Sequence, residues 1–377
     1  MRYGYWMPVF GGWLRNVENE GMEASWEYVS RLARRSEELG YDLTLVAELL
    51  LNDIKGIRAP SLDAWSTASA LAAVTSTLEL MVAVRPAFHS PALLAKQAAT
   101  IDRISSGRLA LNVVSAWWKD EARRYGVTFD EHDDRYARTS EWLDVVRGAW
   151  SEDELDYSGR YYTVDDLVLE PKPVTRGARR GPTIYAGGES DAAKRMIAAQ
   201  CDAYVMHGDP PERIAPKIAD MRAFRERASE ALGRELPPLT FGVAGYTIVR
   251  DSDAEVEREI ERITNVEPGS PGYGNYTDWV SNTKLEQRVS LQDYSVSNRG
   301  LRAGLTGTPE RVAERVEEFA AAGVDLLLLQ CSPQLEEMER FSAQVIAHDP
   351  SVVIGAATRA ATGAATGAGA SLEGAAA

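Results

Sequence analysis

Eight apolar, strand-like runs, each followed by a segment of helical periodicity, predict an α/β fold in which eight parallel strands close into a barrel, the (β/α)8 or TIM-barrel architecture. The runs are apolar at nearly every position, as strands covered on both faces must be. Eight such units in 377 residues suit a closed barrel better than an open doubly wound sheet.

The elements follow in order. Tyr3–Val9 is an apolar run interrupted by Pro8 and followed by a Gly pair, a strand leading into a loop. Ser25–Leu39 has helical periodicity and stops at Gly40; Leu43–Ala47 is the second strand and Ser61–Thr75 an Ala-rich helix. Leu78–Val84 is the third strand, Pro91–Ile104 a helix stopped at Ser106–Gly107, Leu109–Val114 the fourth strand and Asp133–Trp150 a helix. The alternation then pauses. Asp156–Tyr162 and Leu167–Leu169 read as a hairpin, and Pro171–Pro182 as a Pro/Gly/Arg-rich loop. It resumes with strands at Thr183–Ala186, Ala203–Met206 and Phe241–Val249 and helices from Ser190, at Glu212–Ala228 and at Ala254–Thr264. Residues 265–303 form a long Gly/Asn/Ser/Tyr-rich insertion. A helix at Pro309–Ala322, a strand at Asp325–Gln330 and a helix at Leu335–Ala347 complete the series. The expected organisation is one barrel domain over residues 1–350, with insertions at about 151–182 and 265–303. Residues 351–377 are Ala/Gly/Thr-rich and hold too little apolar surface to offset chain entropy, so a disordered tail is expected there.

Composition narrows the partners. The formal net charge of −15 repels phosphate backbones and anionic lipid, against nucleic-acid and membrane partners. The first residues read as a strand rather than a secretory leader, and no apolar run approaches the roughly 20 residues of a bilayer span. Cys201 and Cys331 sit in or beside apolar runs, as buried thiols in a reducing compartment would. A cytoplasmic location is expected. His89, His132, His207 and His348 are scattered, without metal-ligand spacing, and no metal site is predicted.

In such a barrel the chemistry lies just beyond the carboxyl ends of the strands. After the fourth strand, NVVSAWWKDE brings Asn112, Ser115, Trp117, Trp118 and Glu121, flat apolar walls with polar edges suited to a planar ring; equally, one Trp could pack under the barrel rim. After the fifth, AGGES offers Gly187 and Gly188 in a tight turn and Ser190 at a helix start. That is an anion site suited to a mononucleotide phosphate, or simply a turn with a Ser cap. No GxGxxG dinucleotide fingerprint occurs. EHDDRY places Arg135 and Tyr136 where they could meet an anion or a ring, and His207 follows the sixth strand on the active face. No nucleophile elbow or Cys–His motif appears, which points to a cofactor for the difficult chemistry.

Taken in order, SPALLAKQAATIDRISSGRLALNVVSAWWKDE, EHDDRY, EPKPV, YAGGESDAAKR and LTGTPERVAERVEEFAAAGVDLLLLQ resemble the bacterial luciferase-like flavin-dependent monooxygenase family, from about Tyr3 to Ala347. The dimethylsulfone and alkanesulfonate monooxygenase branch is most similar, with the pyrimidine-ring branch beside it. The resemblance implies a TIM barrel binding FMN as FMNH2 from a separate NAD(P)H-dependent flavin reductase, O2 as co-substrate, and a homodimer or homotetramer. It implies FMN contacts at Asn112, Glu121, Arg135 and Tyr136, a phosphate contact at Ser190, and a catalytic Arg299 on the mobile insertion. Where the sulfonate enzymes carry an Arg and a His on the seventh strand, this chain has Ala244 and Tyr246. Loss of that cation favours a small neutral substrate such as a sulfone, cleaved at C–S to a sulfinate and an aldehyde. Tyr246 and His207 are then candidate hydrogen-bonding or proton-transfer groups. The alternatives are an alkanesulfonate or amide-ring monooxygenase, a deazaflavin-dependent dehydrogenase on the same barrel, or a non-catalytic flavin-binding protein.

Overall fold

The computed structural model describes residues 1–115, 118–176, 179–266, 269–282, 287, 289–296 and 299–349, and the backbone alone at 132, 133, 175, 176, 179, 278 and 282. Trp117 and the 351–377 tail lie outside the described residues.

Eight parallel strands close a barrel in chain order: β1 (Arg2–Met7), β2 (Leu43–Val46), β3 (Glu79–Val84), β4 (Leu109–Val113), β5 (Thr183–Ala186), β6 (Ala203–Met206), β7 (Thr240–Tyr246) and β8 (Leu326–Gln330). The seam pairs β8 with β1, Leu327 beside Tyr3 and Leu329 beside Tyr5. The frame helices are α1 (Trp26–Glu38), α2 (Ala64–Val74), α3 (Pro91–Ile104), α4 (His132–Ser151), α5 (Asp191–Gln200), α6 (Pro211–Leu232), α7 (Asp253–Thr264), α8 (Pro309–Ala321) and α9 (Gln334–Gln344). Among the described residues no helix is long and apolar enough to cross a membrane.

Alternation along the strands explains why they are apolar throughout. Leu43 and Leu45, Met81 and Ala83, Leu326 and Leu328 turn into the barrel and cluster with Ala110, Tyr185 and Ala203. The intervening residues, such as Leu80, Val82, Leu327 and Leu329, pack outward in the layer under the helices. Register is fixed at the amino ends. Asp42, Asp202 and Asp325, each just before a strand, accept the N–H of Tyr3, Ile184 and Phe241 on the neighbouring strand at 2.8–2.9 Å. Inside that end, Glu79 takes a hydrogen bond from Arg2 at 2.9 Å and one from the Tyr185 hydroxyl at 3.1 Å.

Two expectations shift. The seventh strand was expected to run to Val249, but β7 ends at Tyr246. Beyond it, Thr247 Oγ1 and Ile248 N–H donate to Leu305 O, and Ile248–Val249 pairs with Thr306–Gly307 outside the barrel. The hairpin is Leu155–Ser158 against Thr163–Leu167, antiparallel. Within residues 265–303, short helices at Tyr276–Asn282 and Leu291–Ser295 gather around a small cluster of Tyr273, Trp279, Val289 and Tyr294.

Candidate active site

The carboxyl ends of β1 to β4 and β8 open into a cavity of about 170 Å³. Its walls are the inward side chains that continue each strand's alternation: Trp6 on β1, Leu45 and Ala47 on and after β2, Ala83 on β3, Asn112 and Val114 on and after β4, Gln330 at the end of β8. Phe10 and Trp13 from the loop after β1 add aromatic surface. Trp13 stands edge-on to both Trp6 and Phe10 at 5.8 Å and is fixed by its N–H to Gln334 Oε1 at 2.8 Å. Flat apolar walls with a few polar groups suit a planar heteroaromatic ring. Two buried donors beside this space, Trp6 Nε1 and Arg85 Nη2, have no hydrogen-bond partner among the described residues. Such groups are costly unless something accepts from them.

A buried ion network backs the cavity. Arg85, 3% exposed, receives Glu48 on one side and Glu121 on the other. The Glu121 carboxylate also accepts the N–H of Leu50 at 2.6 Å and of Leu51 at 3.1 Å. It therefore holds the loop after β2 against Arg85, and it bears on the cavity through these partners.

The turn after β5 lies on the strand next to Asn112, with Asn112 beside Tyr185 and Val113 beside Ala186. A Cβ on Gly187 would stand 2.7 Å from Val205 O; one on Gly188 would stand 2.5 Å from Ala193 Cβ and 3.1 Å from the Tyr136 hydroxyl. Only glycine fits at either place, because neighbouring protein atoms pack directly against this backbone. Ser190 Oγ accepts from Ala193 N–H at 3.3 Å and begins α5. Gly187, Gly188, Ser190 and Tyr136 thus come together at a helix start, the kind of place that can hold an anion. Glu189 would repel an anion there, but Arg299 Nη2 at 2.6 Å and Lys217 Nζ at 3.2 Å neutralise it.

The other sequence-predicted residues fall in three places. Ser115 and Arg135 border a small separate hollow with Pro86 and Phe129; Ser115 Oγ is 3.4 Å from Thr139 Oγ1, and Arg135 stacks on Phe129 with Cζ 4.6 Å from the ring centroid. Arg299 is 1% exposed, and its charge, with burial as the larger cause, holds the His207 imidazole down at about 4. His207 is neutral at physiological pH. Tyr246 is buried with Leu14, Ile263 and Val296, its hydroxyl without a partner among the described residues. Burial pushes its phenol well above the usual range, so it stays protonated. Trp118 is buried at the rim.

Sequence reasoning missed Trp6, Trp13, Arg15, Glu48, Asp53 and Arg85. The signal was positional: Glu48 and Arg85 lie one or two residues past β2 and β3, where a barrel displays its functional groups.

Arg15 and Asp53, both on the cavity wall, pair at 2.5 Å and hold the insertion. Arg15 donates to Gly272 O at 2.5 Å and Tyr294 O at 3.0 Å; Asp53 accepts from Asn275 at 2.8 Å and from the Tyr294 hydroxyl. The insertion is therefore latched to two residues of the cavity wall. Among the described residues no cluster of His, Cys, Asp or Glu is arranged to hold a metal ion.

Residues 1–326 match the sequence profile of the family described as luciferase-like monooxygenase. A protein of Pseudomonas putida described as an FMNH2-dependent dimethylsulfone monooxygenase is 33% identical over 356 residues, 92% of this chain and 94% of the relative. A protein of the same description from Pseudomonas fluorescens (strain Pf0-1) is 30% identical over 357 residues, 92% and 93% of the two chains. The crystal structure of a long-chain alkane monooxygenase superposes with a TM-score of 0.75 at 18% identity, covering 90% of this chain and 89% of the other, a likeness of fold.

Proposed function

The chain belongs to the luciferase-like monooxygenase family, and from that premise we propose that it oxidises a small sulfone of the dimethylsulfone type with FMNH2 and O2. Full-length similarity to two dimethylsulfone monooxygenases supports the sulfone. The observation that carries the site assignment is the glycine-and-serine turn after β5, next to the strand whose Asn112 lines an aromatic cavity.

The residues present fit FMN. Gly187, Gly188 and Ser190 would take the phosphate, with Tyr136 beside it, and the cavity bounded by Trp6, Leu45, Ala83 and Val114 would take the ring, Asn112 at its edge. When bound, reduced FMN supplies the two electrons with which O2 is activated; a separate flavin reductase supplies FMNH2. One oxygen atom enters the carbon beside sulfur and the other leaves as water. The C–S bond then breaks, and dimethylsulfone yields methanesulfinate and formaldehyde.

The chain's own groups prepare that chemistry. The Arg15–Asp53 pair latches the insertion and keeps bulk water from the cavity. Neutral His207 and protonated Tyr246 add no charge at neutral pH. Arg299 pairs with Glu189, which would offset the repulsion between that carboxylate and the phosphate.

The test is a substrate panel in air with photoreduced FMN: dimethylsulfone, methanesulfonate and uracil. Formaldehyde and methanesulfinate from dimethylsulfone alone are expected. Turnover of methanesulfonate or uracil with none of the sulfone overturns the assignment.

A further inference from the structure

Arg85 is the first residue past β3 and lines the cavity. Its backbone N–H and Nε donate to Glu48 Oε2 at 2.9 and 3.3 Å, and Nη1 donates to Glu121 Oε2. The other Glu48 oxygen lies 2.5 Å from His89 Nε2. The guanidinium stacks on Phe88, Cζ 3.9 Å from the ring centroid. Packing and pairing thus fix its plane. Nη2 is left buried with no partner among the described residues.

The charge count decides what can accept from it. One guanidinium faces two carboxylates, so the group carries no surplus positive charge. The next cation on the wall, Arg15, is likewise matched by Asp53. An anion beside Arg85 would give up its hydration and meet Glu48 at the wall, with Glu121 behind it. Arg85's charge, already offset, would not repay that loss. A neutral molecule with a strongly polar oxygen escapes the repulsion and satisfies the orphan donor.

We propose that Glu48, Arg85 and Glu121 determine substrate specificity: Arg85 Nη2 donates to an oxygen of a neutral sulfonyl substrate, and the two carboxylates exclude anionic sulfonates. The inference rests on the sulfone reading above and gives it a cause.

Binding of dimethylsulfone and methanesulfonate, and of N-methylacetamide and acetate, to the FMN-loaded protein tests it by calorimetry. Wild type is expected to bind each neutral member at least about tenfold more tightly than its anion. Glu48→Gln, which keeps the shape and removes a charge, should shrink that ratio about tenfold by strengthening the anion. Arg85→Met should weaken the neutral ligands. Equal affinities within the pairs in wild type, or an unchanged ratio in folded Glu48→Gln, overturn the proposal. Should Glu48→Gln not fold, the wild-type ratios and Glu121→Gln decide in the same way. The two readings fail separately. Preference for N-methylacetamide over acetate, with no turnover of dimethylsulfone, ends the sulfone assignment and leaves the charge selection standing. Turnover of dimethylsulfone with equal binding of methanesulfonate does the reverse.

Discussion

Arg15 Nη2 and Asp53 Oδ2 meet at 2.5 Å with each side chain 5% exposed, and through this pair the 265–303 insertion is tied to the loops after β1 and β2. Removing Asp53 strands a buried cation and frees Asn275 and Tyr294. Asp53→Ala should cost about 3–5 kcal/mol in urea unfolding, the usual penalty for breaking a buried pair. A purely structural role would stop there. The latch role predicts in addition that the folded variant forms several-fold less product per FMNH2 consumed, with FMN affinity unchanged; unchanged coupling would count against it.

Ser190 caps the start of α5, where the phosphate of FMN is proposed to bind. Ser190→Ala should lower FMN affinity by about tenfold and leave riboflavin, which has no phosphate, unaffected, as fluorescence titration would record. Equal losses for both ligands would place the phosphate elsewhere.

Glu121 is fully buried and accepts from Arg85 and from the Leu50 and Leu51 amides. Glu121→Ala leaves three donors unmet and should destabilise the fold by about 3–5 kcal/mol. Glu121→Gln keeps an acceptor and should lose less in the same unfolding experiment.

Much of the barrel is legible in the sequence because each strand is apolar on both faces and each helix on one. The runs at Thr183–Ala186 and Ala203–Met206 coincide with β5 and β6. Ile248 and Val249 are as β-prone as the residues before them, so the sequence alone carries strand seven past its end at Tyr246. What ends β7 is a tertiary choice, Thr247 and Ile248 turning to Leu305. Gly187, Gly188 and Ser190 were legible because a tight turn before a helix has its own residue signature. The Arg85 network was not. A lone Glu or Arg after a strand looks like any surface charge, and only folding brings Glu48, Arg85 and Glu121 together.

His207 is held down at about 4, from an ordinary 6.5, by burial and by Arg299. The unfolded chain therefore takes up a proton first as the pH falls. This residue's stabilising contribution is complete above about 6.5 and is lost as the pH falls toward 4. His207→Asn should flatten the stability–pH curve between those values, and the imidazole resonances of wild type should stay neutral down to about pH 5. A midpoint near 6.5 would contradict the electrostatic account.

Oxygen-dependent cleavage of dimethylsulfone is read in a single-turnover experiment with photoreduced FMN, run in air and under argon. Equal amounts of formaldehyde and methanesulfinate are expected in air and neither product under argon. Sulfone-derived product formed without oxygen would contradict oxygen-dependent cleavage.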